Sequence, residues 1–393
     1  MRQRRMPAPE KQVATVQCTL LFQLKPCAAT HRKIACCAQG PQGRATSFIL
    51  SIMKEPPLPE LAELERLIAD YPRQLTVQTT CEVTAGAHRF PVYALTLGAR
   101  QPEAPAVGFF GGVHGLERIG TRVLLSFLRG LLSRLRWDGV LLRELESVRL
   151  VFMPLVNPAG MWRSTRSNLR GVDLMRNAPV ESAARVSFMV GGQRISPLLP
   201  WYRGACEGTM EAESAALCRV VREQLLPSGF SVALDCHSGF GLRDRIWFPY
   251  AHTTTPIRHL PEIAALEELF SQACPNHPYL FEPQSRKYLT HGDLWDYLYQ
   301  QASADEQRIF LPLTLEMGSW NWVRKSPRQL LSWQGLFNPL PPHRLQRVMR
   351  RHLAWLEFLA RAACGYRQWL PDTGERRRHE QLALSRWYRG TAR

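Results

Sequence analysis

The stretch AVGFFGGVHGLERIG, residues 106–120, decides how this chain is read. Ala106 to Phe110 has the length and apolarity of a buried strand, and Gly111 and Gly112 permit a sharp exit. From Glu117 onward, Val123, Leu124, Phe127 and Leu128 recur at helical spacing. His114 and Glu117 therefore fall at the carboxyl end of a strand, where a ring nitrogen and a carboxylate can share one metal ion. A catalytic zinc site asks for three protein donors and one open position. The run FSVALDC, residues 230–236, reads as a second buried strand and ends at His237. Two strand ends thus converge on one hypothetical ion.

Working outward, helical periodicity spans Leu58 to Ile68, Arg118 to Leu135, Met210 to Leu226, Ile263 to Ala273 and Arg344 to Ala363, alternating with short apolar runs. That alternation predicts an α/β fold in one domain, with a mixed, mostly parallel central sheet flanked by helices. Ligands in open α/β sheets bind at the carboxyl ends of strands, which is where His114, Glu117 and His237 fall. No repeat with a period of 20 to 50 residues is visible.

Five motifs in series, HGLE at 114, NPAG at 157, GVDLMRN at 171, LDCHSG at 234 and LTLEMG at 313, resemble the ordered motif set of zinc carboxypeptidases of the carboxypeptidase A type. The resemblance runs from about residue 75 to residue 320 and implies a zinc carboxypeptidase-like fold holding a single Zn2+. It implies that His114, Glu117 and His237 are the zinc ligands, and that Glu316, ending the apolar run Ile309 to Leu315, is the general base. Asp173 resembles the carboxylate that orients the first histidine ligand; an Asx turn after Gly171 is the other reading of that residue. Arg176 resembles the arginine that forks onto a substrate carboxylate. Arg166 resembles the arginine that polarises the scissile carbonyl, with Arg163 and Arg170 as rivals. Tyr288 is the nearest candidate for the family's mobile tyrosine, with Tyr297 and Tyr299 competing. His291 reads better as part of a helix-entry cap with Asp293 than as a fourth ligand.

Two positions depart from the pattern. Met175 stands where the family has an asparagine beside the substrate-carboxylate arginine, so a hydrogen-bond donor is replaced by a soft apolar thioether. Ala159 in NPAG stands where aspartate is common, a change that bears on local hydrogen bonding more than on chemistry. The implied activity is hydrolysis of a peptide-like amide next to a substrate carboxylate. Met175 keeps open a deacylase of N-acyl amino acids or a peptidoglycan-type peptide amidase, and a non-catalytic binding protein is the reading from another class. The segment Ala178 to Arg203, between two motifs, is a candidate specificity loop.

The 393 residues carry a formal charge of +17, of which residues 1–52 hold +7 and residues 366–393 hold +4. These two ends read as a loosely packed or non-native N-terminal extension and a solvated basic C-terminal tail, around a catalytic domain at 53–365. Met53 looks like a natural start, and Val13 to Leu24 makes a poor signal peptide because Gln17, Cys18 and Gln23 interrupt it. No nucleic-acid recognition module accompanies the basic runs, and no apolar run is long enough to span a membrane. The ten cysteines lack any C-x-x-C pair, a pattern that suits reduced thiols in the cytoplasm. Cys236 reads as a core thiol, because successive strand residues point to opposite faces and His237 is its neighbour. The predicted partner is a peptide or acylated amino-acid substrate.

Overall fold

A computed structural model describes residues 58–205, 209–239 and 241–388. Eight strands form one sheet: β1 (Thr76–Ala85), β2 (His88–Gly98), β3 (Ala106–Gly111), β4 (Arg149–Met153), β5 (Phe230–Ser238), β6 (Arg245–Phe248), β7 (Leu280–Pro283) and β8 (Ile309–Met317). Their order is β1-β2-β4-β3-β5-β8-β6-β7. The central strands β4, β3, β5 and β8 run parallel to one another, while β1, β2 and β6 enter antiparallel contacts at the flanks. The helices of nine residues or more are α1 (Pro59–Asp70), α2 (Arg118–Arg134), α3 (Gly139–Ser147), α4 (Ala212–Gln224), α5 (Leu260–Ala273), α6 (Leu294–Ala302), α7 (Pro342–Cys364) and α8 (Thr373–Ala383). The mixed, mostly parallel sheet between helices is the architecture read from the sequence, and the five periodic segments fall on α1, α2, α4, α5 and α7.

Every residue of β3, β4 and β5 is buried, which is what helices on both faces of a parallel sheet require. The main core runs through Phe109, Phe110, Leu234, Phe310 and Leu313 on the strands and Val123, Leu124 and Leu128 on α2. Two glycines set the approach of α2 to the sheet. Gly112 has φ +64°, a left-handed conformation that turns the chain sharply after β3. At Gly120, a Cβ would stand 2.1 Å from the Cys236 carbonyl oxygen, so glycine lets the first turn of α2 rest on β5. Cys236 is 1% exposed and packs in the core, on the side of β5 opposite His237.

One boundary differs from the sequence reading. Residues 366–388 are not a solvated tail: α8 lies along α5, and the segment that follows carries Trp387, 3% exposed, onto Phe248 of β6 at a ring separation of 4.8 Å. The arginines have acidic counterparts there. Arg376 pairs with Glu262, Arg386 with Glu267 at 2.7 Å, and His379 with Glu268 at 2.9 Å, so a charge run that looks solvated in one dimension meets a helix face carrying the opposite sign. The readings made for residues 1–52, and for Cys206, lie outside the described residues. Among the described cysteines, Cys81, Cys218, Cys236, Cys274 and Cys364 carry free thiols, and no helix of the described residues is long and apolar enough to cross a membrane.

If the C-terminal segment belongs to the folded unit, Trp387→Ala should lower the free energy of unfolding by about 3–5 kcal/mol in urea titrations. A change smaller than about 0.5 kcal/mol would contradict the packing. A second outcome concerns acid. His352 on α7 is 1% exposed and meets the Tyr279 hydroxyl at 2.8 Å, and burial holds its ring down at about 4. The unfolded ring protonates near 6.5, so this residue's contribution is complete above that pH and is lost as pH falls towards 4. The slope is up to ~1.4 kcal/mol per pH unit. Unfolding curves between pH 7 and 4 should show that slope in the parent and a shallower one in His352→Leu.

Candidate metal centre

Three strand ends meet at the carboxyl edge of the sheet. Parallel pairing of β3 with β5 sets Phe110 opposite Asp235 and Gly111 opposite Cys236, so the turn after β3 comes down beside the end of β5. Pairing of β5 with β8 then sets His237 opposite Glu316. Residues paired across neighbouring strands project to the same face, which places Glu316 alongside the histidine without any loop having to carry it there.

The side chains converge closely. His114 Nδ1 lies 2.9 Å from a Glu117 carboxylate oxygen, His237 Nδ1 lies 3.0 Å from the other, and the two Nδ1 atoms are 3.1 Å apart. All three residues are 2–3% exposed, and their candidate ligand atoms lie within 4.8 Å of one another. Zinc bonds of about 2.0–2.1 Å in a tetrahedral arrangement hold two nitrogen donors about 3.3 Å apart, so the spacing fits a shared ion. The outward nitrogens are also engaged. His114 Nε2 meets Asp173 at 3.0 Å and His237 Nε2 meets Asp235 at 2.8 Å, which leaves both Nδ1 lone pairs aimed inward.

Burial alone would raise Glu117, but the two imidazoles outweigh it and hold its carboxyl well below the usual carboxylate range. Burial would likewise raise Asp173, where Arg166 and His114 prevail and depress it. For His237, burial opposes the charged ring, and Asp235 with Glu117 overcomes that and raises it. Glu316 is the exception. Desolvation dominates there and pushes the carboxyl up to about 7, with His237 opposing. Three acids in one site are thus split by environment: Glu117 and Asp173 are held low by the cationic groups beside them, while burial raises Glu316.

Asp173 makes both sets of contacts, to His114 and within a local turn. One carboxylate oxygen accepts the Met175 N–H in an Asx-type turn at 3.1 Å and also meets His114, while the other takes Arg166 Nε at 2.9 Å. Arg166 extends to Glu117 at 3.3 Å, whereas its rival Arg170 is largely exposed beside Glu211. Tyr288 packs edge-on to Trp247 with its ring 6.1 Å away, and its hydroxyl hydrogen-bonds with Arg176 within electrostatic reach of Glu316 and Arg166. Tyr299, by contrast, turns its hydroxyl to His259. Arg176 is 3% exposed, with an Nε that has no hydrogen-bond acceptor. Met175 is 5% exposed and joins the main core. His291 stands apart from the three donors, against Glu181 at 2.7 Å, and Asp293 caps α6 through the Trp295 and Asp296 N–H groups. Ala159 is fully buried in a short helix capped by Asn157. The loop from 178 to 203 is anchored at its end by Arg203, which donates to the Arg176 carbonyl at 3.2 Å and pairs with Glu181.

Sequence reasoning passed over Asp235 and Trp295. Asp235 is fully buried, binds the back of His237 and accepts the Trp295 indole N–H at 3.0 Å. The signal was present: positions 235 and 237 lie two apart on one strand and must share a face. Trp295 had no such signal, because it arrives from α6.

Comparison with known proteins agrees with this geometry. A family model described as zinc carboxypeptidase matches residues 61–322. Carboxypeptidase SOL1 of Arabidopsis thaliana is 27% identical over 121 residues, 30% of this chain and 25% of that protein. Carboxypeptidase E of Caenorhabditis elegans is 32% identical over 100 residues, 22% of this chain and 21% of that protein. The chain therefore aligns with a quarter or less of the length of these relatives. Among solved structures, carboxypeptidase A of Helicoverpa armigera superposes with a TM-score of 0.58 at 18% identity, over 77% of this chain and 71% of that one. Thrombin activatable fibrinolysis inhibitor gives 0.57 at 18% identity, over 77% of this chain and 72% of that one. With the motif order, the sheet topology and a His-Glu-His cluster in agreement, this chain belongs to the zinc carboxypeptidase family.

Proposed function

We propose that this protein is a zinc-dependent hydrolase that cleaves a peptide-like amide bond beside a substrate carboxylate. The observation that carries the reading is the convergence of two Nδ1 atoms and one carboxylate, with Glu316 in register beside His237. His114, Glu117 and His237 would hold one zinc ion, which when bound supplies a Lewis acid for the scissile carbonyl and an acidified water. Glu316 is the general base: it takes the proton of the attacking water and returns it to the leaving nitrogen, a transfer that favours a carboxyl near neutrality. Arg166 stabilises the charge that develops on the carbonyl oxygen. Asp173 keeps both the His114 ring and the Arg166 guanidinium in place. Arg176, buried and with an unfilled donor, receives the substrate carboxylate, and Tyr288 beside it closes over the bound group.

Met175 supports a second reading within the same chemistry. A thioether in the core beside Arg176 removes one carboxylate donor, which suits an N-acyl amino acid or a peptidoglycan-type peptide as well as a free peptide C-terminus. We also place the protein in the cytoplasm on its dispersed free thiols, a location that cell fractionation tests directly.

Glu316→Gln should keep its zinc, as measured by metal analysis of the purified protein, while kcat falls by about 10²- to 10⁴-fold. Absence of turnover above background in parent and variant alike would favour a binding protein that kept the fold, and equal, measurable turnover in both would remove Glu316 from the reaction. Product analysis over a panel of peptides and acyl-amino acids then separates the two hydrolytic readings: release of C-terminal residues supports the first, and release of an acyl group or an internal peptide cut supports the second.

A further inference from the structure

Glu117 occupies two positions at once. It is a proposed metal ligand, and it is also the N-cap residue of α2, where an acidic side chain would ordinarily turn back to accept the helix's free N–H groups. It does not cap its own helix. Its carboxylate instead faces His114 and His237 and accepts the Ser238 N–H at 2.9 Å. The acceptor that α2 needs comes from Asn338, remote in sequence and 6% exposed. Its side-chain oxygen takes the Ile119 N–H at 2.9 Å, and its amide nitrogen donates to the Leu116 carbonyl at 2.8 Å and to the Gln334 carbonyl at 2.9 Å. One side chain therefore brackets Glu117 on both flanks. The residue before it ties down the other ligand strand, because the Phe337 carbonyl accepts the Ser238 hydroxyl at 2.7 Å. Asn338 is itself held by Gln329, which donates to its carbonyl at 3.0 Å.

We infer that Asn338 is a positioning residue for the metal centre: by capping α2 from outside, it releases the Glu117 carboxylate from its helix and leaves it for the ion. The inference rests on the metal-centre reading given above, and Asn338 lies beyond the span that the family model matches. Without Asn338, the Ile119 N–H loses the acceptor it has here, and the side chain that an N-cap position ordinarily offers to that amide is the Glu117 carboxylate, which should be lent to the metal. A single group cannot do both.

The test compares zinc dissociation constants of the full chain, by competition with a chromophoric chelator, with thermal unfolding of the metal-free protein. Asn338→Ala should bind zinc about tenfold to a hundredfold more weakly, the usual consequence of losing a residue that orients a ligand. Its metal-free unfolding temperature should fall by no more than about 4 °C, as expected for one lost cap. Asn338→Asp keeps the acceptor for Ile119 and should lose less affinity than alanine. Asn338→Ser, too short to reach both flanks, carries the same expectation as alanine if the latter does not fold. A folded Ala or Ser variant whose zinc affinity stays within about threefold of the parent overturns the inference and leaves Asn338 a structural cap. A parent chain that binds no zinc removes the metal-centre reading itself, and this inference with it.

Discussion

Two imidazole nitrogens 3.1 Å apart, closed by a carboxylate and sealed from water, form an arrangement that is hard to sustain unless something cationic belongs between them. The rest of the molecule can be read as the means of enforcing it. The register of β3, β5 and β8 brings the ends of three strands to one level, Gly120 lets α2 press onto β5, and carboxylates behind each ring keep the inner lone pairs pointed at one another. Each device is cheap on its own. Together they leave the donor atoms little freedom to relax apart.

The two orienting carboxylates are unlike in their surroundings. Asp173 is tied to Arg166, a guanidinium that also touches Glu117, so its charge is shared with the region where substrate would react. Asp235 is tied to a neutral indole, and its second oxygen has no hydrogen-bond partner. Its charge therefore bears more directly on His237. The same contrast separates Glu316 from Glu117 and Asp173: it lies next to His237 in register but is governed by desolvation, which suits the proton-transfer role proposed for it.

Much of this was legible in one dimension. Strands β3, β5 and β8 are continuous apolar runs because both faces of the sheet are covered, and the flanking helices repeat their apolar positions with a period near four, so each element announced itself locally. The motif residues followed, since a ligand placed directly after a buried strand needs no long-range information to locate it. The C-terminal segment was misread for the converse reason. Arginines at 376 and 386 look solvated until α5 supplies Glu262 and Glu267, and the identity of a partner more than a hundred residues away is not written in a local window.

What the sequence by itself determined is the inventory: which elements exist, and that two histidines and two glutamates stand at strand ends, because hydrophobic periodicity and turn chemistry are local properties of the chain. What only the tertiary structure decided is the coupling between those parts. That Asn338 caps the helix of Glu117, that Trp295 reaches Asp235 behind His237, and that Tyr288 meets Arg176 all depend on how distant elements pack. Hydrogen bonds of that kind are set by angstrom-scale geometry between segments, and no spacing along the backbone encodes it.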